Sequence, residues 1–154
     1  MKLFIVAACL ACTAAIAQAE TLIVAGHKLV DVSVGSNDSF VWTDRSGDAW
    51  LGEAVKSNEG GIWLLRPDNY AKNRGWLMFV KSSTTTSDTK SGLLGFDIDC
   101  DRFMVKNVYA AAYKDFFAKG TPTHPKKNDD KYIVPGPGTY VEYLARFICQ
   151  RPDK

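Results

Sequence analysis

Short runs of apolar and β-branched residues, separated by turn-forming residues, dominate the chain up to about residue 113. In Leu29–Val34 and Leu94–Cys100 apolar and polar side chains alternate, which is typical of strands with one buried face. The short, unbroken apolar run Trp76–Val80 indicates a central strand buried on both faces. The other predicted strands are Thr21–Val24, Phe40–Trp42, Ala49–Leu51, Ile62–Leu65 and Phe103–Tyr109.

Turn-forming residues separate these strands. Asp44–Asp48 is predicted to be a hairpin loop, and Gly120–Lys131 is predicted to be a loop rich in proline and lysine. The segment Ala110–Ala112 is ambiguous. Alanine favours a helix there, whereas the alternation that places Tyr109 and Tyr113 on one side favours a strand.

The clearest predicted element is a helix at the C-terminal end. Thr139 is followed three residues later by Glu142, a capping box that marks a helix start. Apolar residues then recur at helical spacing on one face, which includes Cys149. The helix is predicted over about Tyr140–Cys149. The fold class is therefore α+β, an antiparallel sheet with a C-terminal helix packed on it.

The aromatic content bears on what the protein does. The chain has 4 Trp, 6 Tyr and 8 Phe, and many of these must be in the core. One helix covers only one face of an antiparallel sheet, so the other face must be solvated, paired with a second copy or offered to a partner. This expectation favours a binding module or a homodimer over an enzyme.

The first 19 residues are predicted to be a signal peptide. Lys2 is followed by the apolar run Leu3–Ile16, and Ala17–Ala19 is a small-x-small cleavage site, so cleavage is expected before Glu20. The alternative is lipoprotein processing at Cys9. The remaining residues, 20–154, have the length of one domain. No later apolar stretch has the ~20 residues needed to span a membrane.

The charge balance gives no support for two classes of partner. The formal net charge of the whole chain is +2, and it falls by one when Lys2 is removed with the signal. A chain this close to neutral gives no reason to expect binding to nucleic acid or to an anionic membrane surface.

Cys100 and Cys149 are the two cysteines that remain after the predicted cleavage. In an exported chain they have a single intramolecular pairing, and chain-entropy arithmetic gives that disulfide roughly 4 kcal/mol of stabilisation. The alternative is two separate buried thiols. Neither cysteine has the neighbours of a zinc site.

Catalytic and metal-binding patterns are weak. His27 and His124 are each expected in a turn or loop, and GxSxG, HExxH, P-loop and GxGxxG motifs are absent. Asp97, Asp99 and Asp101 recur at every second residue, so they form either a cation site or a solvated sheet face. The sequence therefore predicts no enzyme and no cofactor. Asp97 is also expected to pair with Lys106 on the next strand.

A small basic cluster occupies the proline- and lysine-rich loop. It consists of Lys119, Lys126, Lys127 and Lys131. The negative charges of Asp129 and Asp130 offset part of its positive charge. These lysines are the candidate partner-binding residues, and the alternative is that they only keep the loop soluble.

Beyond these patterns, the order of motifs resembles the surface-adhesin protein E family of proteobacteria. The similarity extends over about Ala54–Cys149. It rests on the following set: Gly61–Asn69, Cys100 closing a strand, Val108–Gly120, the loop Pro125–Lys127, Val134-Pro135, and Thr139–Cys149 ending in Phe-Ile-Cys.

The resemblance implies a sheet of about six strands and a C-terminal helix held by a disulfide. It also implies dimerisation and non-enzymatic binding of host matrix proteins such as vitronectin and laminin, and haem binding is associated with the family. The function expected is thus an exported protein, in the periplasm or on the outer cell surface, that binds host or envelope proteins. Such a protein would have a flat aromatic face without a deep polar pocket. The alternative is a periplasmic small-molecule or haem-binding protein, which needs a concave site lined by tyrosine or histidine.

Overall fold

The computed structural model describes residues 20–34, 39–53, 61–69, 73–126 and 129–149. The predicted signal peptide lies outside the described residues. The strands are β1 Glu20–Val24, β2 His27–Val34, β3 Ser39–Thr43, β4 Ala49–Glu53, β5 Gly61–Asn69, β6 Arg74–Lys81, β7 Ser91–Asp99, β8 Met104–Tyr113 and β9 Pro122–Lys126. A short 3-10 helix covers Phe116–Ala118, and α1 covers Tyr140–Cys149.

The nine strands within the described residues form one antiparallel sheet in chain order, so the expectation of about six strands is wrong. That number came from a resemblance beginning near Ala54, and β1–β4 precede this residue. β9 lies in a segment that was expected to be a loop. Its two prolines are tolerated because β9 is the last strand of the sheet, where a missing N–H can face away from β8.

The helix α1 covers one face of β5–β8, as the sequence predicts. Its buried side chains Leu144 and Ile148 pack in a core cluster with Leu77 of β6. Gly75 permits this close approach, because a Cβ added there would lie 2.5 Å from Cδ1 of Ile148. The start of the helix is capped by Thr139, whose Oγ1 accepts from the Glu142 N–H at 3.2 Å.

A disulfide joins the end of α1 to the end of β7. The S–S distance between Cys100 and Cys149 is 2.09 Å. The predicted pairing is confirmed, and the alternative of two separate thiols is excluded. The helix is therefore fixed to the sheet both by apolar packing and by a covalent bond.

The sheet curls, so that its first strands close over the opposite face of β5 and β6. β2 and β6 are four places apart in the sheet. Nevertheless, the N–H of Ser83, just after β6, donates to the carbonyl oxygen of Ala25 in the β1–β2 turn at 3.0 Å. Gly26 in this turn has a φ of 78°, and any Cβ there would collide with the Ser83 side chain.

The curled strands enclose a second core cluster. Its buried members are Val24, Leu29, Val32, Phe40, Trp50, Ile62, Leu64, Met78 and Val80. β6 contributes to both clusters, as its unbroken apolar sequence predicts. The chain's own strands thus cover part of the face opposite the helix, so this face is not open along its whole length.

A bulge in β8 changes which residues share a face. Gly95 pairs with Tyr109 and Phe96 with Asn107, which leaves Val108 as the extra residue. Val105 consequently packs on the helix side, whereas Tyr109 contacts Trp76 on the concave side. Regular alternation along the predicted strand Phe103–Tyr109 would place these two residues on one face, and the bulge is the reason that they lie on opposite faces. The ambiguous alanines 110–112 lie within the strand.

Candidate ligand-binding cleft

The described residues form a cleft of about 480 Å³ on the concave side of the sheet. Side chains of β2, β3 and β4 line one side of it, and the 3-10 segment lines another. Its apolar lining comes from buried or half-buried inward positions on three strands. These are Leu29, Met78 and Leu93.

Two irregular pieces of backbone shape this cleft. Asp31, with a φ of 59°, lies at a bulge in β2, where the pairing with β1 is irregular. Phe117 and Ala118 also have positive φ values, 60° and 50°. The buried Ser91 holds the second piece, since its hydroxyl donates to the Asp115 carbonyl at 2.6 Å and accepts from the Ala118 N–H at 2.9 Å.

Aromatic rings form part of the cleft wall. Trp42 of β3 and Phe117 are tilted against each other with centroids 5.1 Å apart. Trp42 is half-buried, so one part of the indole remains accessible, whereas its cross-strand neighbour Trp50 is buried. His27 lies behind Phe117, and the two rings make an edge contact with their centroids 5.1 Å apart.

A connected polar network fixes the β3–β4 end of the cleft. Asp44, the first residue of the β3–β4 hairpin loop, accepts hydrogen bonds from the Trp50 indole at 2.9 Å and from the Ser46 and Asp48 N–H groups. Asp48 forms an ion pair with Nη1 of Arg66. The Arg66 guanidinium lies over the Trp50 ring, 4.9 Å from its centroid. The predicted hairpin loop therefore anchors part of the cleft.

The network also sets the ionisation of Asp44. Burial acts to raise the pKa of this carboxyl, but the hydrogen bonds from Trp50, Asp48 and Ser46, with the charge of Arg66, outweigh it and lower the pKa below its usual value. Asp44 is accordingly a fixed anion at neutral pH with its oxygens already engaged, which makes it a poor proton acceptor.

The structure describes the side chains of two of the four lysines in the predicted basic cluster, Lys119 and Lys131. Lys119 is exposed and lines the cleft. Lys131 is also exposed, but lies in a segment where Ile133 bridges to Val105 of β8. Lys126 belongs to β9 and its side chain is not described, and Lys127 lies outside the described residues.

Two of the three aspartates at and after the end of β7 are engaged by basic side chains. Asp97 binds Nε of Arg74 at 2.7 Å and lies 3.8 Å from Nζ of Lys106, which confirms the predicted cross-strand pair. Asp99 accepts from Nε of Arg102 at 2.7 Å, and hydrogen bonding from Arg102 lowers the pKa of Asp99. Asp101 is exposed in the following turn. Within the described part of the chain no three metal-ligating side chains come together.

The two histidines also differ from the expectation. His27 is not in a loop but begins β2, with only 8% of its surface exposed. Its Nε2 lies 2.7 Å from the Lys81 carbonyl oxygen. The ring packs against Phe116 and Phe117 and so supports the cleft wall from behind. His124 lies in β9, and its side chain is not described.

Sequence reasoning missed the cleft residues Trp42, Arg66 and Asp31. One signal was present, because Arg66 occupies an inward position of β5 after Ile62 and Leu64, where an apolar residue is expected. A charge at such a position is costly unless it is paired, and this marks it as a candidate functional residue.

Comparison of the chain with protein-family models, with curated proteins and with solved structures finds no match. The resemblance to surface adhesin E stays a prediction. Among the described residues, no helix has the length and apolar character required to cross a membrane.

Proposed function

We propose that this chain is an exported, non-enzymatic binding protein that holds a small organic molecule in the cleft of its curled sheet. The observation that carries this proposal is the cleft itself, in which apolar and aromatic side chains lie next to charged ones. Small-molecule sites usually combine a mostly apolar lining with a few placed polar groups, and their volumes are about 300–1,000 Å³. The observed volume of about 480 Å³ falls in this range.

The cleft favours a small ligand over a flat protein partner. A protein-binding adhesin is expected to offer a flat aromatic face without a deep polar pocket. The curled strands instead enclose the concave face and leave a recess beside Trp42 and Phe117. The adhesin resemblance supports the same general class, which is binding without catalysis. The disulfide is compatible with an oxidising compartment and so supports export.

The side chains of the cleft support binding rather than chemistry. A base-activated nucleophile needs an adjacent group that can accept its proton. No histidine or cysteine is among the described lining residues, and two of the three lining aspartates, Asp44 and Asp48, are engaged by hydrogen bonds and by Arg66. The third, Asp31, is exposed to solvent at the β2 bulge. Haem binding receives no support from this lining, because it contains neither histidine nor tyrosine and His27 is held by the Lys81 carbonyl.

A cleft-filling variant tests the proposal. Dansylglycine and its neutral amide, dansylglycinamide, serve as fluorescent probes of a small organic site. We expect the wild type to bind at least one of them, with enhanced dansyl emission. Leu93→Trp, which adds an indole to the apolar lining, should weaken that binding by more than about tenfold, since a filled recess excludes the ligand body.

Val41→Trp is the matched control, because Val41 is exposed and is not part of the cleft lining. It introduces the same side chain on β3, outside the cleft lining, and we expect it to bind the probe as the wild type does. Circular dichroism of both variants checks that they are folded. The proposal fails if neither probe binds, or if both tryptophan variants bind equally well.

A further inference from the structure

The acidic side chains of the cleft are mostly occupied by the protein itself. Four cationic residues and three aspartates line it: Lys28, Arg45, Arg66, Lys119, Asp31, Asp44 and Asp48. Asp44 accepts three hydrogen bonds from the hairpin loop and Trp50, and Asp48 is paired with Arg66. Of the three carboxylates only Asp31, which is exposed at the β2 bulge, remains without such a partner among the described residues.

The cationic side chains are not occupied in the same way. Lys28, Arg45 and Lys119 are exposed, and no ion pair holds any of them within the described residues. The cleft therefore has three unpaired cations and one unpaired anion near its apolar lining. A ligand that carries negative charge gains from this imbalance, while a cationic ligand loses.

Arg66 is a second, independent feature of the cleft that bears on the charge of its ligand. Asp48 contacts only its Nη1, and the buried Nε has no hydrogen-bond acceptor among the described residues. A buried donor without an acceptor costs stability, and the cost is larger for a charged group. The guanidinium fork matches the geometry of a carboxylate or another oxyanion, and its second terminal nitrogen, Nη2, which Asp48 does not contact, can donate to a ligand of that kind.

We propose that the cleft selects a small organic anion. Its carboxylate or similar oxyanion group is bound by Arg66 and Lys119, and its apolar body lies against the half-buried Leu93, with the buried Leu29 and Met78 forming the cleft floor. This assignment rests on the proposed function and narrows it to one chemical class. Trp42 and Phe117 would flank the apolar body, which favours a flat or ring-containing one.

The two dansyl probes test the charge selection directly, since they differ only in the carboxylate. We expect the wild type to bind dansylglycine at least about fivefold more tightly than dansylglycinamide, the ratio that a favourable charge contact can supply. Raising the salt concentration should weaken binding of dansylglycine and leave dansylglycinamide nearly unchanged, because salt screens exposed charges.

Lys119→Met and Lys114→Met form a matched pair of variants. Both lysines are exposed, but only Lys119 lines the cleft. We expect Lys119→Met to lower the affinity for dansylglycine about threefold to fivefold and to leave the amide unaffected, while Lys114→Met changes neither.

The outcomes separate this inference from the proposed function. Equal affinity for the two probes, with both lost in Leu93→Trp, would overturn the anion selection and leave the cleft as a binding site. A preference for the amide would overturn it as well. If neither probe binds, or if binding persists in Leu93→Trp, both the proposed function and the anion selection are contradicted.

Discussion

Removal of the Cys100–Cys149 disulfide is expected to lower the free energy of unfolding by about 4 kcal/mol. The bridge spans a sequence separation of 49 residues, so its loss restores much conformational freedom to the unfolded chain. The variant is the double substitution Cys100→Ala and Cys149→Ala. Urea unfolding followed by circular dichroism measures the change in the free energy of unfolding. Most of this change should appear as a lower urea concentration at the midpoint of unfolding.

The wild type reduced with dithiothreitol is the control, because it lacks the bridge but keeps both side chains. It should unfold at nearly the same urea concentration as the double variant. A loss below about 1 kcal/mol in both samples would show that apolar packing alone holds α1 on the sheet.

The second large effect is expected for Leu144→Ala. Leu144 is fully buried, and its methyl groups lie over Gly75 of β6, where no side chain can fill the space it leaves. Truncation of a buried leucine costs about 3 kcal/mol, as lost apolar burial plus the cavity. The measurement is again urea unfolding of the disulfide-bonded protein.

Tyr143→Ala is the control on the same helix, because Tyr143 is 53% exposed. We expect it to cost less than about 1 kcal/mol. Equal losses for the two variants would contradict the orientation of α1. Both variants should retain dansylglycine binding while folded, because the helix and the cleft lie on opposite sides of the sheet.

Much of the helix side of the fold could be predicted from local sequence. The capping residue Thr139 and the helical spacing that includes Leu144 and Ile148 give the bounds of α1, and the alternation ending at Cys100 places that cysteine on the helix side. Two cysteines remaining in a predicted exported chain leave one pairing. The helix and strand features depend on residues close together in sequence, and the disulfide pairing depends on the number of cysteines that remain.

The concave side could not be predicted in the same way. A single extra residue, Val108, moves Tyr109 to the other face, and nothing in the local pattern marks that bulge. The cleft joins Asp31, Trp42, Arg66 and Lys119 from four separate segments. They meet only because the sheet curls, and that curl depends on long-range contacts such as the one between Ala25 and Ser83.

The location of a bound ligand tests the central claim most directly. Dansylglycine titrated into ¹⁵N-labelled protein, followed by amide chemical-shift mapping, gives this location residue by residue. The account predicts saturable shifts concentrated at the cleft, at Leu29, Trp42, Leu93 and Ala118, with α1 little changed. Shifts concentrated on α1, or no saturable shift at any amide, would contradict it.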